Sequence, residues 1–234
     1  IENKEKIKLQ NFLEKWLNDK INLILKSLID LKTLKESNSS IRALAYQLYE
    51  NNGVLKRDKV SEYLKKLGQN ERKILRNLGV KFGRYHVFLF KLLKPEAVSL
   101  RILLWKNFHQ KLFNLMPPTF GLNFLEKDNS MDKNFMLLCG FENFDQYFVR
   151  IDILERLFVQ IINANPVKNA EIKIMPEMLN LLGCSKENFI KLVQKMNYKI
   201  IKKEEGNFYF KHLPNRQKNK KTIKKTTHSS NNPF

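Results

Sequence analysis

The chain is short of cysteine, of acid, of long apolar runs and of every common catalytic motif. Cys139 and Cys184 are the only cysteines in 234 residues. Two thiols so far apart make neither a disulfide framework nor a zinc cluster, so buried thiols in a reducing cytoplasm are expected. No apolar run approaches the roughly 18 residues of a membrane span. The longest, such as Phe135 to Phe141, are core-sized. The first turns are charged, unlike a secretory leader, and a cytoplasmic location without membrane partners is expected. No repeat of fixed period is present.

Chemistry-bearing patterns are missing too. There is no Gly-x-x-x-x-Gly-Lys-Ser/Thr phosphate loop, no Asp-Glu-x-His box for Mg²⁺ and no Gly-x-Ser-x-Gly elbow. His86, His109, His212 and His228 stand apart, with no carboxylate at metal-ligand spacing. They are expected to be surface or hydrogen-bonded histidines. Asp152 and Glu155 lie beside Arg150 and Arg156, where ion pairing or capping accounts for them. No catalytic residue, metal ligand or cofactor site is expected within the chain.

Positive charge is abundant. Lys and Arg number 43 against 23 acids, a net charge of +20, the electrostatic footprint of a protein that meets polyanions. Lysine outnumbers arginine 34 to 9 and asparagine occurs 26 times, a bias that an AT-rich genome also produces. Seven basic residues and no acid lie from Lys211 onward, which leaves +13 on the first 210 residues.

Hydrophobic residues, 43% of the chain, recur at helical spacing through the first half. Lys8 to Ile29 reads as one amphipathic helix with Phe12, Leu13, Trp16, Leu17, Ile21, Ile24, Leu25, Leu28 and Ile29 on its apolar face. Ser39 or Ser40 is expected to cap a helix over Ile41 to Asn51, ended by Gly53. Helices follow near Arg57 to Leu67, near Asn70 to Leu78, and from Glu96 to Leu115 behind Pro95, with Leu100, Leu103, Leu104 and Phe108 inward. Pro117-Pro118 closes the last of these. Between them, Leu78 to Leu89 has neither a 3.6 nor a 2.0 period. Gly79 and Gly83 bracket Lys81-Phe82, and Arg84-Tyr85-His86 follows. A glycine in such a place supplies a positive φ or a close backbone approach. A strand-like connector with Phe82, Val87 and Phe88 in the core is one reading. A nucleic-acid contact by Lys81, Arg84 and Tyr85 is the other.

The boundaries predicted are a helical domain over 1–118, a linker loop over 119–133, an α+β domain over 134–213 and a disordered basic tail over 214–234. In the second domain, Phe135 to Gly140 and Tyr147 to Val149 read as short strands. Ile151 to Asn163 is a helix capped by Asp152, and Glu171 to Ile174 a strand. Pro176 to Leu182 is a helix ended by Gly183, and Ser185 caps a helix from Lys186 to Met196. Tyr198 to Lys203 and Asn207 to Lys211 form a hairpin around Glu204-Glu205-Gly206. That order is the order of a winged helix. The fold expected is mainly α: a helical bundle, a winged-helix-like domain and the tail. On the recognition helix, Lys191, Gln194 and Lys195 share one face, with Lys186 at its start. Lys199, Lys202, Lys203 and Lys211 extend the charge over the wing. Such a face suits phosphate contacts; a solvated lysine face is the alternative.

Five stretches carry a family likeness: Ile41 to Glu50 with Gly53 to Arg57; Leu78 to Leu89 with Leu92 to Pro95; Ser99 to Trp105; Val149 to Leu157; and Leu181 to Phe189. In this order they resemble the C-terminal region of alphaproteobacterial superfamily-two ATP-dependent helicases, relatives of the mitochondrial degradosome RNA helicase. Phe90-Lys91 and Ile41-Arg-Ala depart from the family pattern. The resemblance implies upstream motor domains in the same chain. Those would bind ATP and Mg²⁺ and drive the unwinding of nucleic acid. This segment would then be an accessory that grips single-stranded RNA or DNA. Two other readings remain: a free-standing winged-helix DNA-binding regulator, for which the recognition helix lacks an arginine to read guanine, and a protein-interaction scaffold.

Overall fold

The apolar periods of the sequence close into a helix-rich fold that carries three small antiparallel sheets. The computed structural model describes residues 2–35, 38–109, 114–128, 130–164, 171–202 and 208–212. The basic tail, Lys203 and the turn Glu204-Glu205-Gly206 lie outside the described residues.

Two helices replace the single N-terminal helix expected: α1 (Glu2–Ile24) and α2 (Lys26–Lys32), parted at Leu25. The break turns Leu25, Leu28 and Leu31 into the first core. It leaves α1 outside, and Phe12 (66% exposed), Leu13 and Trp16 (52%) face solvent. Helix α3 (Ser39–Glu50) is capped by Asn38, whose side chain accepts from the Ser40 N–H, and not by either serine. Ile41, Leu44, Ala45 and Leu48 are its buried stripe.

A strand absent from the sequence reading, β1 (Val54–Lys56), precedes α4 (Ser61–Lys66) and α5 (Gln69–Asn77). The irregular segment is a hairpin, β2 (Val80–Phe82) and β3 (His86–Leu89), with β3 central between β1 and β2. Val87 and Phe88 are buried, as a connector requires. A 3-10 turn, Phe90–Leu93, leads to α6 (Pro95–Phe108), with Pro95 in its first turn. This helix stops at Phe108, short of Leu115, where the His109 ring stacks on Trp105 with centroids 4.5 Å apart. Leu103 and Phe108 point outward rather than inward. Arg101 is buried and donates to the carbonyls of Asn52 and Leu92, and burial lowers its pKa to about 10.

The stretch read as a linker contains β4 (Phe124–Glu126), which pairs with β6. Phe135 to Gly140 is not a strand. It holds α7 (Lys133–Leu138), capped by Asp132, which accepts from the Phe135 N–H. Short apolar runs carry too little period to separate helix from strand, and the cap decides here. Strands β5 (Phe141–Phe144) and β6 (Tyr147–Arg150) complete the second sheet.

Then come α8 (Ile151–Asn163), β7 (Ile172–Lys173), α9 (Pro176–Leu182), α10 (Lys186–Lys195), β8 (Tyr198–Lys202) and β9 (Phe208–His212). Asp152 does not cap α8; its carboxylate takes two hydrogen bonds from Arg150. Ser185 does cap α10, accepting from the Asn188 N–H. The third sheet has the order β7-β9-β8. Its Ile172 and Phe210 pack with Phe189, Leu192 and Val193 of α10 and with Leu154 and Leu157 of α8.

The core residues and the α1 stripe should therefore respond oppositely to substitution. Leu44→Ala is expected to cost about 2–5 kcal/mol, whereas Leu13→Glu with Trp16→Glu should stay within about 0.5 kcal/mol. Urea unfolding of the three proteins measures both, and an equal loss would mean that α1 is covered.

Candidate nucleic-acid interface

Charge-bearing side chains gather at three places: the α10 face, the third sheet and the β2–β3 hairpin. On α10, Lys191, Gln194 and Lys195 are exposed on one side, opposite buried Phe189, Val193 and Met196. The Lys195 ammonium is 2.7 Å from Asp145 in the β5–β6 turn and holds that carboxyl below its usual range. Lys191 has no ion-pair partner among the described residues. Lys186 sits 4.5 Å from the centroid of the Phe208 ring.

On the sheet, Lys199 and Lys211 are register partners across β8 and β9. Two like charges directly opposite each other are destabilising unless a counter-anion lies between them. Tyr209 is register partner to both Lys173 and Ile201. The backbone of Lys202 pairs with Phe208, and Lys203 lies outside the described residues.

The hairpin separates the residues that sequence reasoning grouped together. Lys81 and Arg84 are exposed. The Arg84 guanidinium lies 5.6 Å from the Phe158 ring. Tyr85 is half-buried instead, edge-on to Phe158 at 5.8 Å and packed on the second core. Burial, with Tyr198 alongside, pushes its phenol far up, so it stays protonated. Tyr85 serves the junction between the two halves.

That junction is the part the sequence did not reveal. Glu155 of α8 reaches the hairpin and accepts backbone N–H bonds from Arg84, from Tyr85 at 2.9 Å and from His86 at 2.9 Å. Gly83 is a glycine for this reason. A Cβ there would lie 2.3 Å from the Glu155 carboxyl carbon. Gly79 answers the other need, with φ +92°.

His86 is buried and makes a 2.8 Å contact from Nε2 to Glu142, which also takes Lys56 at 2.7 Å. Its Nδ1 is 3.5 Å from Glu155, a charge contact rather than a formed hydrogen bond. The histidine is thus hydrogen-bonded, one of the two states expected, and has two carboxylate neighbours. Among the described residues no group of three or more His, Cys, Asp or Glu forms a metal site. Burial alone would lower the His86 pKa, but Glu142 and Glu155 outweigh it and raise it. Burial would raise Glu142, but His86 and Lys56 outweigh that and lower it. Burial raises the Cys139 thiol to about 12 and the Cys184 thiol to about 11, so both are protonated at neutral pH.

No family model, no curated protein and no solved structure matches the chain. Among the described residues no helix is long and apolar enough to cross a membrane.

The interlock predicts non-additivity. Gly83→Ala should destabilise by about 1–3 kcal/mol through overpacking, and Glu155→Ala by a similar amount through unmade hydrogen bonds. The double variant should cost less than the sum by about 0.5–3 kcal/mol. Additive costs in a urea double-mutant cycle would contradict the geometry.

The His86 cluster predicts a pH dependence. A raised folded pKa stabilises fully below the ordinary value of 6.5 and is lost as pH rises through the folded value. The lowered Glu142 stabilises above its ordinary 4.5 and is lost as pH falls through its folded value. The stability gap between the wild type and His86→Gln should shrink as pH rises above 6.5 through the raised folded value. A gap constant with pH would refute the cluster's role.

Proposed function

We propose that this chain is the C-terminal accessory region of an ATP-dependent RNA or DNA helicase and grips nucleic acid without sequence preference. The observation that carries the gripping role is the order α8, β7, α9, α10, β8, β9 with the sheet order β7-β9-β8. We read it as a winged helix whose second motif helix, α10, presents exposed lysines. The opposed Lys199–Lys211 pair favours an anion on the adjoining sheet, since phosphates relieve that repulsion. The second sheet supports the helix pair: the side chain of Asn123, just before β4, donates to the Leu181 carbonyl of α9, and the Tyr147 hydroxyl of β6 donates to Asn188 of α10.

The helicase assignment rests on the family resemblance, and the uncovered stripe of α1 supports it. Leu9, Phe12, Leu13, Trp16 and Leu17 are exposed along one helix, an apolar area of the kind that meets another protein surface. In this reading it packs on the motor domains, which bind ATP and Mg²⁺. Within this chain the work is binding: lysines act as point charges on phosphates, and protein charge replaces condensed counterions.

The test is the affinity of the whole chain for labelled oligouridine and oligothymidine at several salt concentrations. Log affinity should fall linearly with log salt. Lys191→Gln should weaken both ligands alike and reduce the slope by about 1. A slope near zero for the wild type would refute the gripping role. Strong preference for one duplex sequence would favour a regulator instead.

A further inference from the structure

Between the β2–β3 hairpin and α8 lies a groove of about 570 Å³ whose lining includes Lys81 and Arg84 and none of the α10 lysines. It falls in the size range of about 300–1,000 Å³ typical of ligand sites. Its apolar lining includes Phe90 (44% exposed), Phe158, Val159 (55%) and Ile162 (51%). Surface this apolar is uncommon beside so much charge, and Arg57, Lys81, Arg84 and Arg156 line the same groove.

The two acids in the lining do not balance those cations. Glu155 is engaged by the three hairpin N–H groups, and Asp152 by Arg150. Arg57 is fixed too, donating to the Gly83 carbonyl. Lys81 and Arg156 have no hydrogen-bond or ion-pair partner among the described residues. The Arg84 guanidinium lies over the Phe158 ring and makes no side-chain hydrogen bond or ion pair among the described residues.

Arginine placement adds a second argument. The chain uses lysine for nearly four in five of its cations, 34 against 9. Yet Arg57, Arg84 and Arg156 line this groove, and Arg72 and Arg76 lie 5.8 and 5.6 Å from the ring of Phe82 at its edge. Five of nine arginines therefore surround one segment. A planar guanidinium stacks on rings and forks onto phosphate, which lysine does not do.

We propose that this groove binds a single-stranded nucleic-acid segment, with a base stacked against Phe90 and the Arg84–Phe158 pair and the backbone phosphates held by Lys81 and Arg156. An aromatic and apolar floor with a cationic rim is the arrangement that takes unpaired bases. A duplex hides its base faces and cannot use such a floor. The proposal rests on the gripping role above and adds a second site to it, separate from the α10 face.

The experiment uses the whole chain and oligouridine carrying 2-aminopurine, whose fluorescence falls on stacking. The wild type should quench it. Phe90→Ala should abolish the quench and weaken binding by about tenfold, with the salt slope unchanged, since stacking releases no counterion. Arg156→Gln should lower the slope by about 1. Both residues are exposed, and an unchanged urea midpoint checks the fold. If both variants bind and quench like the wild type while Lys191→Gln weakens binding, the groove is not the site and the gripping role stands. If the wild type shows no salt-dependent binding, the gripping role itself fails. If a polyglutamate peptide displaces the oligonucleotide at equal charge and the wild type gives no quench, the groove takes an acidic protein instead, and the proposal is overturned.

Discussion

Two carboxylates, Glu155 and Glu142, join the two halves of this protein, and Glu155 holds the backbone of the hairpin. Glu155 projects from the second turn of α8 into the bend of a hairpin 70 residues away in sequence and accepts three consecutive backbone N–H groups there. The Arg84 group is exposed, but those of Tyr85 and His86 are part-buried, where unmet donors cost about 1–3 kcal/mol each. A carboxylate meets them at one point, and only a glycine at position 83 lets it approach. Around this contact the other junction elements fall into place: His86 between two acids, Tyr85 on the Phe158 edge, and Val54, Phe88 and Ile151 in a small shared core.

The local parts of this arrangement were legible in the sequence. Helices α8 and α9 lie where the apolar period, the glycine and the proline put them, and Ser185 caps α10 as its position ahead of the Lys186 helix suggests. The hairpin announced itself as a segment without period. Its partner was not legible, because nothing about Glu155 distinguishes it from a solvent-facing helix acid until the fold brings position 83 to it. For the same reason the partners of His86, Glu142 and Glu155, were not legible. Periodicity also identified the stripe of α1 but not what covers it: a 3.6-residue repeat fixes which side chains share a face and says nothing about the facing surface. Phe135 to Gly140 was too short for its period to decide, and the Asp132 cap settled it.

Composition and position have to be read separately in this chain. A lysine excess is what an AT-rich genome yields, so the total of +20 carries little by itself. Where the cations sit carries more. Arg101 and Arg150 serve the fold, one buried on carbonyls and one paired with Asp152. Most of the remaining arginines crowd the hairpin. Lysines instead occupy the α10 face and the third sheet.

Helix α8 has a mechanical meaning beyond its packing. Its first two turns carry Glu155 and Arg156 on the hairpin side, and its buried side packs in the core shared with α9 and α10. The Arg84–His86 backbone is tied directly to that helix, without an intervening loop. The hairpin and the lysine-bearing unit are thus linked through one helix, which bonds the former and packs on the latter. The chain is built as a bracket with two polar crossbars, Glu155 on the hairpin backbone and Glu142 on Lys56 and His86.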